Sequence, residues 1–181
     1  MPICSDEAGL QEAAARCGAS ASAMVNVSDI IFKPEFRSLC KDNRCGNYGK
    51  NWKCPPAIGE IEDLIDRLKD KTRAMLFQFV GPLARPYDWK GMQAAAKEFS
   101  KVVQSLAIEL LTLHPSATVL GAGPCVACEK CAYPDEPCRF PNLAVTSLEA
   151  NGVDVSLAAK FAGLKYHNGP LTVTYFGAVF I

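Results

Sequence analysis

The sequence predicts an α/β fold in which a mixed or mainly parallel sheet is covered by helices. Segments with helical apolar spacing alternate along the chain with short apolar or β-branched runs, as in folds that pack helices on a sheet. Two cysteine-containing segments rich in glycine and proline interrupt this alternation and predict irregular metal-binding loops. A hydrophobic content of 49% over 181 residues is enough for a normal core, so we expect one domain over residues 1–181.

The first third of the chain predicts a helix, a strand region and a loop. Residues 6–16 have apolar side chains at helical spacing, which predicts a short helix and places Cys17 in the core. Residues 23–32 are rich in β-branched and apolar side chains and predict one strand or two short ones. Residues 34–56 contain three cysteines and no sustained periodicity, so they predict an irregular loop.

The middle of the chain predicts two helices around a buried strand. Residues 60–71 carry one apolar stripe, and basic side chains collect in the last turn, where the helix dipole favours them. Residues 74–80 form a short apolar run, which predicts a central strand. Residues 88–113 have apolar positions at alternating steps of four and three and predict the longest helix, which Pro115 ends.

The last third predicts a strand, the second irregular loop, two helices and a final strand. Residues 118–120 predict the first of these strands, and residues 124–141 predict the loop, with four cysteines and four prolines. Residues 146–151 predict a helical stretch with Gly152 as C-cap, and a helix capped by Asp154 follows. The β-branched and aromatic residues of 171–181 predict the closing strand.

Four cysteines of the second loop form the strongest chemical pattern. They are Cys125, Cys128, Cys131 and Cys138, here called the four-cysteine set. The first three form two overlapping CxxC units, which are typical of a [4Fe–4S] cluster, and the proline-rich turn before Cys138 allows this residue to provide the fourth ligand. The pattern predicts one such cluster.

Three cysteines of the first loop form a second set. They are Cys40, Cys45 and Cys54, here called the three-cysteine set. A closed tetrahedral zinc site or an all-cysteine cluster needs four ligands, so this set needs one more, or it leaves an iron open. The candidates for the fourth ligand are Cys4, Cys17, His114, His167, a member of the four-cysteine set or an exogenous ligand.

Composition narrows the classes of partner. The formal net charge is zero, which gives no reason to expect nucleic acid, and no apolar stretch approaches the roughly 20 residues of a membrane span. No export signal is visible at the start, and the cysteine spacing suits a reducing compartment, so we expect a cytoplasmic protein. Residues 33–53 are locally basic. Lys41, Arg44, Lys50 and Lys53 are expected to offset the negative charge of a metal centre, and Tyr48 and Trp52 are expected to shield it from water, and both effects tune its reduction potential.

Zinc is the main alternative to iron, because paired CxxC units are also common zinc ligands. Three cysteines in series favour a cluster over a zinc ribbon, and the prolines around them argue against a thioredoxin-like dithiol. Ser147 and Glu149 are interpreted as helix-capping residues, so no catalytic residue is assigned.

The two loops together resemble an uncharacterised prokaryotic family described as predicted metal-binding proteins. The resemblance rests on Cys40-x4-Cys45-Gly-Asn-Tyr-Gly-Lys-Asn-Trp-Lys-Cys54-Pro-Pro, on the four-cysteine set with the Arg-Phe-Pro that follows it, and on the Ser147-Leu-Glu149-Ala-Asn-Gly152 stretch. It implies that all seven loop cysteines belong to the metal-binding design and that Cys4 and Cys17 do not.

Three functions follow as hypotheses. The first is an iron–sulfur protein with one or two [4Fe–4S] clusters that carries electrons to a redox partner protein. The second is a zinc-stabilised binding module whose basic loop docks an acidic partner. The third is an enzyme whose three-cysteine set keeps one iron open for substrate.

Overall fold

The computed structural model describes residues 7–181, apart from the side chains of residues 111–113. Five helices and five strands lie in this range. In chain order they are α1 (Glu7–Arg16), β1 (Ala21–Asn26), α2 (Phe36–Lys41), α3 (Ile61–Lys69), β2 (Arg73–Pro82), α4 (Trp89–Leu113), β3 (Thr118–Gly121), β4 (Thr146–Ser147), α5 (Val155–Phe161) and β5 (Thr172–Phe180). Short 3₁₀ helices cover Val27–Asp29 and Glu149–Asn151.

The strands form one mixed sheet in the order β1-β2-β5-β3-β4. The first three pairings along this order are antiparallel, and only β3 and β4 are parallel. The long central pair of β2 and β5 runs from Ala74 opposite Phe180 to Pro82 opposite Thr172. The predicted mixed sheet is therefore confirmed, and the alternative of a mainly parallel sheet is not what the strands form.

Helices cover both faces of the sheet because side chains alternate along each strand. Met75 and Phe77 of β2 lie on one face and pack with buried residues of α1 and α4. Leu76 lies on the other face, where Leu68 of α3 and Ala158 of α5 complete the core. Both helical layers thus bury their apolar stripes against the same sheet.

Most predicted elements are confirmed. The α1, α3 and α4 helices and the β2, β3 and β5 strands lie where the periodicity placed them, although Asp6 at the start of the first helix lies outside the described residues. Asp88 caps α4 by accepting a hydrogen bond from the N–H of Gly91 at 3.1 Å, and Asp154 caps α5 through the N–H of Leu157. Gly152, with φ 77°, is the left-handed cap that ends the second 3₁₀ helix.

Three predictions need correction. Residues 34–56 are not wholly irregular, because the six-residue helix α2 carries Cys40; so short a helix shows too few turns for periodicity to reveal it. The second half of 23–32 is a 3₁₀ helix with an isolated bridge at Phe32, not a second strand. The stretch 146–151 begins as β4, because its first two residues pair with β3.

Within residues 7–181, none of the helices combines the length and the apolar character that crossing a membrane would require.

Candidate metal centre

The first cysteine segment, residues 33–56, begins at a fixed point beside α5. The N–H of Lys33 donates to the carbonyl oxygen of Gly152 at 2.6 Å, and the N–H of Asp154 donates to that of Ile31 at 3.0 Å. The Lys33 ammonium also lies 2.7 Å from Asp154 Oδ2. These contacts attach the start of the segment to the sheet and its covering helix.

Arg37 holds helix α2 in place one turn before Cys40. Its Nη1 donates to the carbonyl oxygen of Gly59 at 3.0 Å and its Nη2 to that of Ala150 at 3.5 Å. Its Nε is buried, and no described residue accepts its proton. Burial raises the pKa of the Cys40 thiol, and the nearby Arg37 charge opposes this rise. The helix therefore presents a cysteine next to a cation with one unused donor.

Two asparagines fold the rest of the first segment. Asn43 adopts φ 53°, a left-handed conformation that asparagine tolerates well, and its Oδ1 accepts from the N–H of Tyr48 at 3.0 Å. Asn51 is 6% exposed, and its Oδ1 accepts from the N–H of Lys53 at 2.9 Å. Burial raises the pKa of Cys54, whereas a hydrogen bond from the Asn51 side chain opposes that rise. Asn51 thus holds both the turn and the sulfur that follows it.

The second cysteine segment, residues 124–141, leaves the sheet after β3. Burial raises the pKa of Cys125, and the backbone N–H groups of Ala127 and Val145 oppose this rise. Cys128 and Cys138 lie close enough to add to the rise electrostatically. This N–H pattern around a thiol is the kind that stabilises a metal-bound thiolate.

Cys131 is the most strongly supported thiolate of the second segment. Loss of hydration acts to raise its pKa, but backbone N–H donors from Tyr133, Trp52 and Ala132 and the charge of Arg139 outweigh it, so the pKa lies below its ordinary value. One of these donors comes from the first segment. The anion of Cys131 is therefore stabilised by both segments together.

The two segments contact each other through Trp52. Its indole Nε1 donates to the carbonyl oxygen of Glu136 at 2.9 Å, and its ring meets that of Tyr133 edge to face at 4.9 Å between centroids. An open groove of about 560 Å³ runs along this junction. The residues that line the groove are Trp52, Lys53, Pro134, Asp135, Glu136, Pro137, Cys138 and Pro141.

The structure brings the two cysteine sets near each other without closing either. Cys54 interacts electrostatically with Cys45, with Cys40 and with Cys125 of the other set. In the part of the chain that the structure describes, no group of three or more Cys, His, Asp or Glu side chains is placed to hold a metal ion. Metal binding would thus require the cysteine side chains to move closer together, and the predicted ligand sets stay predictions.

The candidates for a fourth ligand of the three-cysteine set lie in different parts of the structure. Cys17 is half-buried against the α1–α4 side of the core, and its Sγ lies 3.5 Å from Glu109 Oε2. The ring of His167 lies against its neighbour Tyr166. Cys4 lies outside the described residues. A member of the four-cysteine set is the candidate that the structure places within electrostatic reach of Cys54.

The donor chemistry fits a metal bound by thiolates. Backbone N–H groups point at Cys125 and Cys131, the Asn51 amide reaches Cys54, and the Arg37 guanidinium has a buried Nε without an acceptor among the described residues. Hydrogen-bond donors around ligand sulfurs are the usual outer shell of such centres. Sequence reasoning missed Arg37 and Asn51; each lies three residues from a cysteine, which is the signal that would have drawn attention to them.

Ser147 accepts a hydrogen bond at the start of the second 3₁₀ helix, as the capping pattern predicted. The Ser147 hydroxyl oxygen accepts a hydrogen bond from the N–H of Ala150 at 3.1 Å. Burial raises the pKa of the Glu149 carboxyl, and that carboxyl lies close enough to Cys40 to act on its pKa. Glu149 is thus an acidic neighbour of the three-cysteine set that spacing alone did not connect to it.

The fold and the donors define an α/β protein with a cysteine-rich candidate metal site. The chain belongs to the family described as "Predicted metal-binding protein (DUF2284)", whose model matches residues 23–181. This match covers both cysteine sets, leaves out Cys4 and Cys17, and supports a metal cofactor. Neither a curated protein nor a solved structure matches the chain.

Proposed function

We propose that this protein is an iron–sulfur electron carrier whose four-cysteine set holds a [4Fe–4S] cluster. The observation that carries the proposal is the spacing of Cys125, Cys128 and Cys131 in the segment after β3, and backbone N–H groups that lower the pKa of Cys131 support it. Three cysteines in series with a fourth beyond a proline-rich turn suit this cluster better than a zinc ribbon.

The chain's own residues set the conditions for such a centre. When bound, a [4Fe–4S] cluster supplies reversible transfer of one electron, taken from a reduced partner and given to an oxidised one. N–H donors to the ligand sulfurs and the charge of Arg139 favour the more negative, reduced state. The cysteines of this set are only partly buried, which leaves the site near the surface where a redox partner protein can approach.

The test is metal analysis of protein purified without oxygen. Bound iron and sulfide in equal amounts, with broad absorption near about 400 nm, are the expected results for a cysteine-ligated cluster. Replacing Cys131 with alanine should remove about four irons per chain. Cys17→Ala is the matched control, because the Cys17 sulfur lies 3.5 Å from Glu109 of α4 and Cys17 belongs to neither cysteine set, and its iron content should equal that of the wild type.

Other outcomes would replace the proposal. Colourless wild-type protein with stoichiometric zinc and no sulfide would contradict it and would favour the zinc-stabilised binding module. Unchanged iron in Cys131→Ala would show that the cluster is not held by the four-cysteine set. Iron that survives in Cys131→Ala but is lost in Cys54→Ala would assign the cluster to the three-cysteine set and favour an open iron.

A further inference from the structure

Trp52 belongs by sequence to one cysteine set and by contact to the other. It lies two residues before Cys54, yet its indole N–H donates to the carbonyl oxygen of Glu136 at 2.9 Å. Its ring also meets that of Tyr133 at 4.9 Å with an interplanar angle of 86°. These partners lie more than 80 positions further along the chain, between Cys131 and Cys138. The side chain is therefore docked inside the second segment.

The backbone of the same residue reaches a predicted ligand. The backbone N–H of Trp52 helps to lower the pKa of Cys131, which belongs to the four-cysteine set. Trp52 thus contacts the second segment through its indole nitrogen and its ring, and its main chain acts on a cysteine of that segment. A residue that only shielded the site from water would not need the hydrogen bond from its indole N–H to Glu136.

A tight turn connects Trp52 to the three-cysteine set. Asn51 is buried, its Oδ1 accepts from the N–H of Lys53 at 2.9 Å, and its carbonyl oxygen accepts from the N–H of Cys54 at 3.3 Å. The turn leaves little freedom between Trp52 and Cys54. A movement of the Cys54 sulfur toward a metal therefore acts on the position of Trp52, and through it on the contacts of its side chain with Tyr133 and Glu136.

We propose that Trp52 is a positioning residue that couples metal binding at the three-cysteine set to metal binding at the four-cysteine set. Ligation of Cys54 fixes the turn, and the turn holds the Trp52 side chain against Tyr133 and Glu136. The stretch between Cys131 and Cys138 is thereby held in place, and the four-cysteine centre retains its metal longer. The identity of the metal in this inference rests on the proposed function, whereas the coupling between the two sets does not.

The first measurement is the rate at which bound iron leaves purified protein for an excess of chelator in the absence of oxygen. Trp52→Ala is expected to release iron about tenfold faster than the wild type, since loss of an outer-shell partner commonly weakens metal binding 10–100-fold. Trp52→Phe keeps a ring for Tyr133 but has no indole N–H, so its rate should lie between the two. Trp89→Ala is the matched control, because Trp89 is 68% exposed at the start of α4. Its rate should equal that of the wild type.

A second measurement separates coupling from simple loss of structure. Trp52→Ala is combined with Cys45→Ala, which disables the three-cysteine set and leaves the other set intact. If Trp52 transmits the state of one set to the other, Trp52→Ala accelerates release about tenfold in the wild-type background and less than about twofold in the Cys45→Ala background. Equal acceleration in both backgrounds would overturn the coupling, and so would a wild-type rate in Trp52→Ala.

The outcomes also separate this inference from the function proposed above. Should the purified protein hold zinc, the iron–sulfur function fails, whereas the same five variants, the double variant included, test the coupling through zinc release. If the wild type holds neither metal, both proposals are wrong. Circular dichroism of each variant shows whether it is folded, and Trp52→Phe provides the rate comparison if Trp52→Ala does not fold.

Discussion

Asp154 fixes the start of the first cysteine segment, and Asp154→Asn tests how much that contact stabilises the fold. One carboxylate oxygen accepts from the N–H of Leu157 at 3.1 Å and from the Ser156 hydroxyl at 2.8 Å. The other lies 2.7 Å from the Lys33 ammonium. Asparagine keeps an oxygen for capping α5 but removes the charge, so the substitution isolates the electrostatic part of the contact.

The magnitude follows from the pKa of this carboxyl. Burial acts to raise it, but Lys33 and the hydrogen bonds outweigh burial and lower the pKa of Asp154 from 3.8 to about 2. This lowering corresponds to about 2 kcal/mol at neutral pH. Because the Lys33 side chain is 36% exposed, solvent screening reduces the expected loss to about 1–2 kcal/mol. In a chain of this size the melting temperature should fall by about 5 °C.

The pH dependence of the stability difference between wild type and Asp154→Asn tests this explanation. A carboxyl whose pKa is lowered by folding contributes its full stabilisation above its unfolded pKa of 3.8, and this stabilisation disappears as the pH falls through about 2. Denaturant unfolding of wild type and Asp154→Asn should therefore differ by a constant amount from pH 5 to 7 and converge between about pH 4 and 2.

This prediction has a control variant and results that would refute it. Asp66 is exposed on α3, so Asp66→Asn should change stability by less than about 0.5 kcal/mol. Equal stability of Asp154→Asn and wild type at pH 7, or a difference that persists unchanged at pH 2, would refute the assignment of this stabilisation to the Asp154 charge.

Two further predictions concern the core. Burial, assisted by Glu109, raises the pKa of Cys17 to about 11 from 9.0. At pH 8, iodoacetamide should therefore alkylate Cys17 about 100-fold more slowly in the native than in the unfolded chain. Equal alkylation rates, measured by peptide mass spectrometry, would contradict this prediction. In Gly177→Ala the new Cβ would lie 2.3 Å from Phe77 Cζ and 2.8 Å from the carbonyl oxygen of Leu120, so denaturant unfolding should show a loss of about 1–3 kcal/mol; a loss below about 0.5 kcal/mol would show that the strands shift easily.

The elements that sequence predicted well are those whose stability depends on a repeated pattern. Helix α4 has 25 residues, enough for its apolar positions to show the helical period many times. The apolar run of β2 was identified as central, and β2 is indeed paired on both sides. Helix α2 and strand β4 have six and two residues, so neither shows a period. Both are held by contacts with distant parts of the chain.

In the candidate site, too, local features could be predicted from the sequence, whereas long-range contacts could not. Spacing alone identified the seven cysteines, because ligand spacing is a local property of the chain. The contacts that join them are not local: Glu136 lies 84 residues from Trp52, and Ala150 lies 113 residues from Arg37. A single sequence does not show which distant residues are in contact. The approach of the two segments, and with it the contacts of Trp52, could therefore be identified only from the structure.

The contact between the two cysteine segments gives a structural reason for the distribution of charge along the chain. Residues 33–53 carry six basic and two acidic side chains, whereas residues 124–141 carry two basic and three acidic ones. Lys33 pairs with Asp154, and Arg37 donates to backbone carbonyl oxygens. The remaining four basic side chains belong to the stretch between Lys41 and Lys53. Lys53 lines the groove that also contains Cys138, so the first segment brings positive charge close to the cysteines of the second. The zero net charge of the chain thus conceals a basic segment in contact with an acidic one that also carries four cysteines.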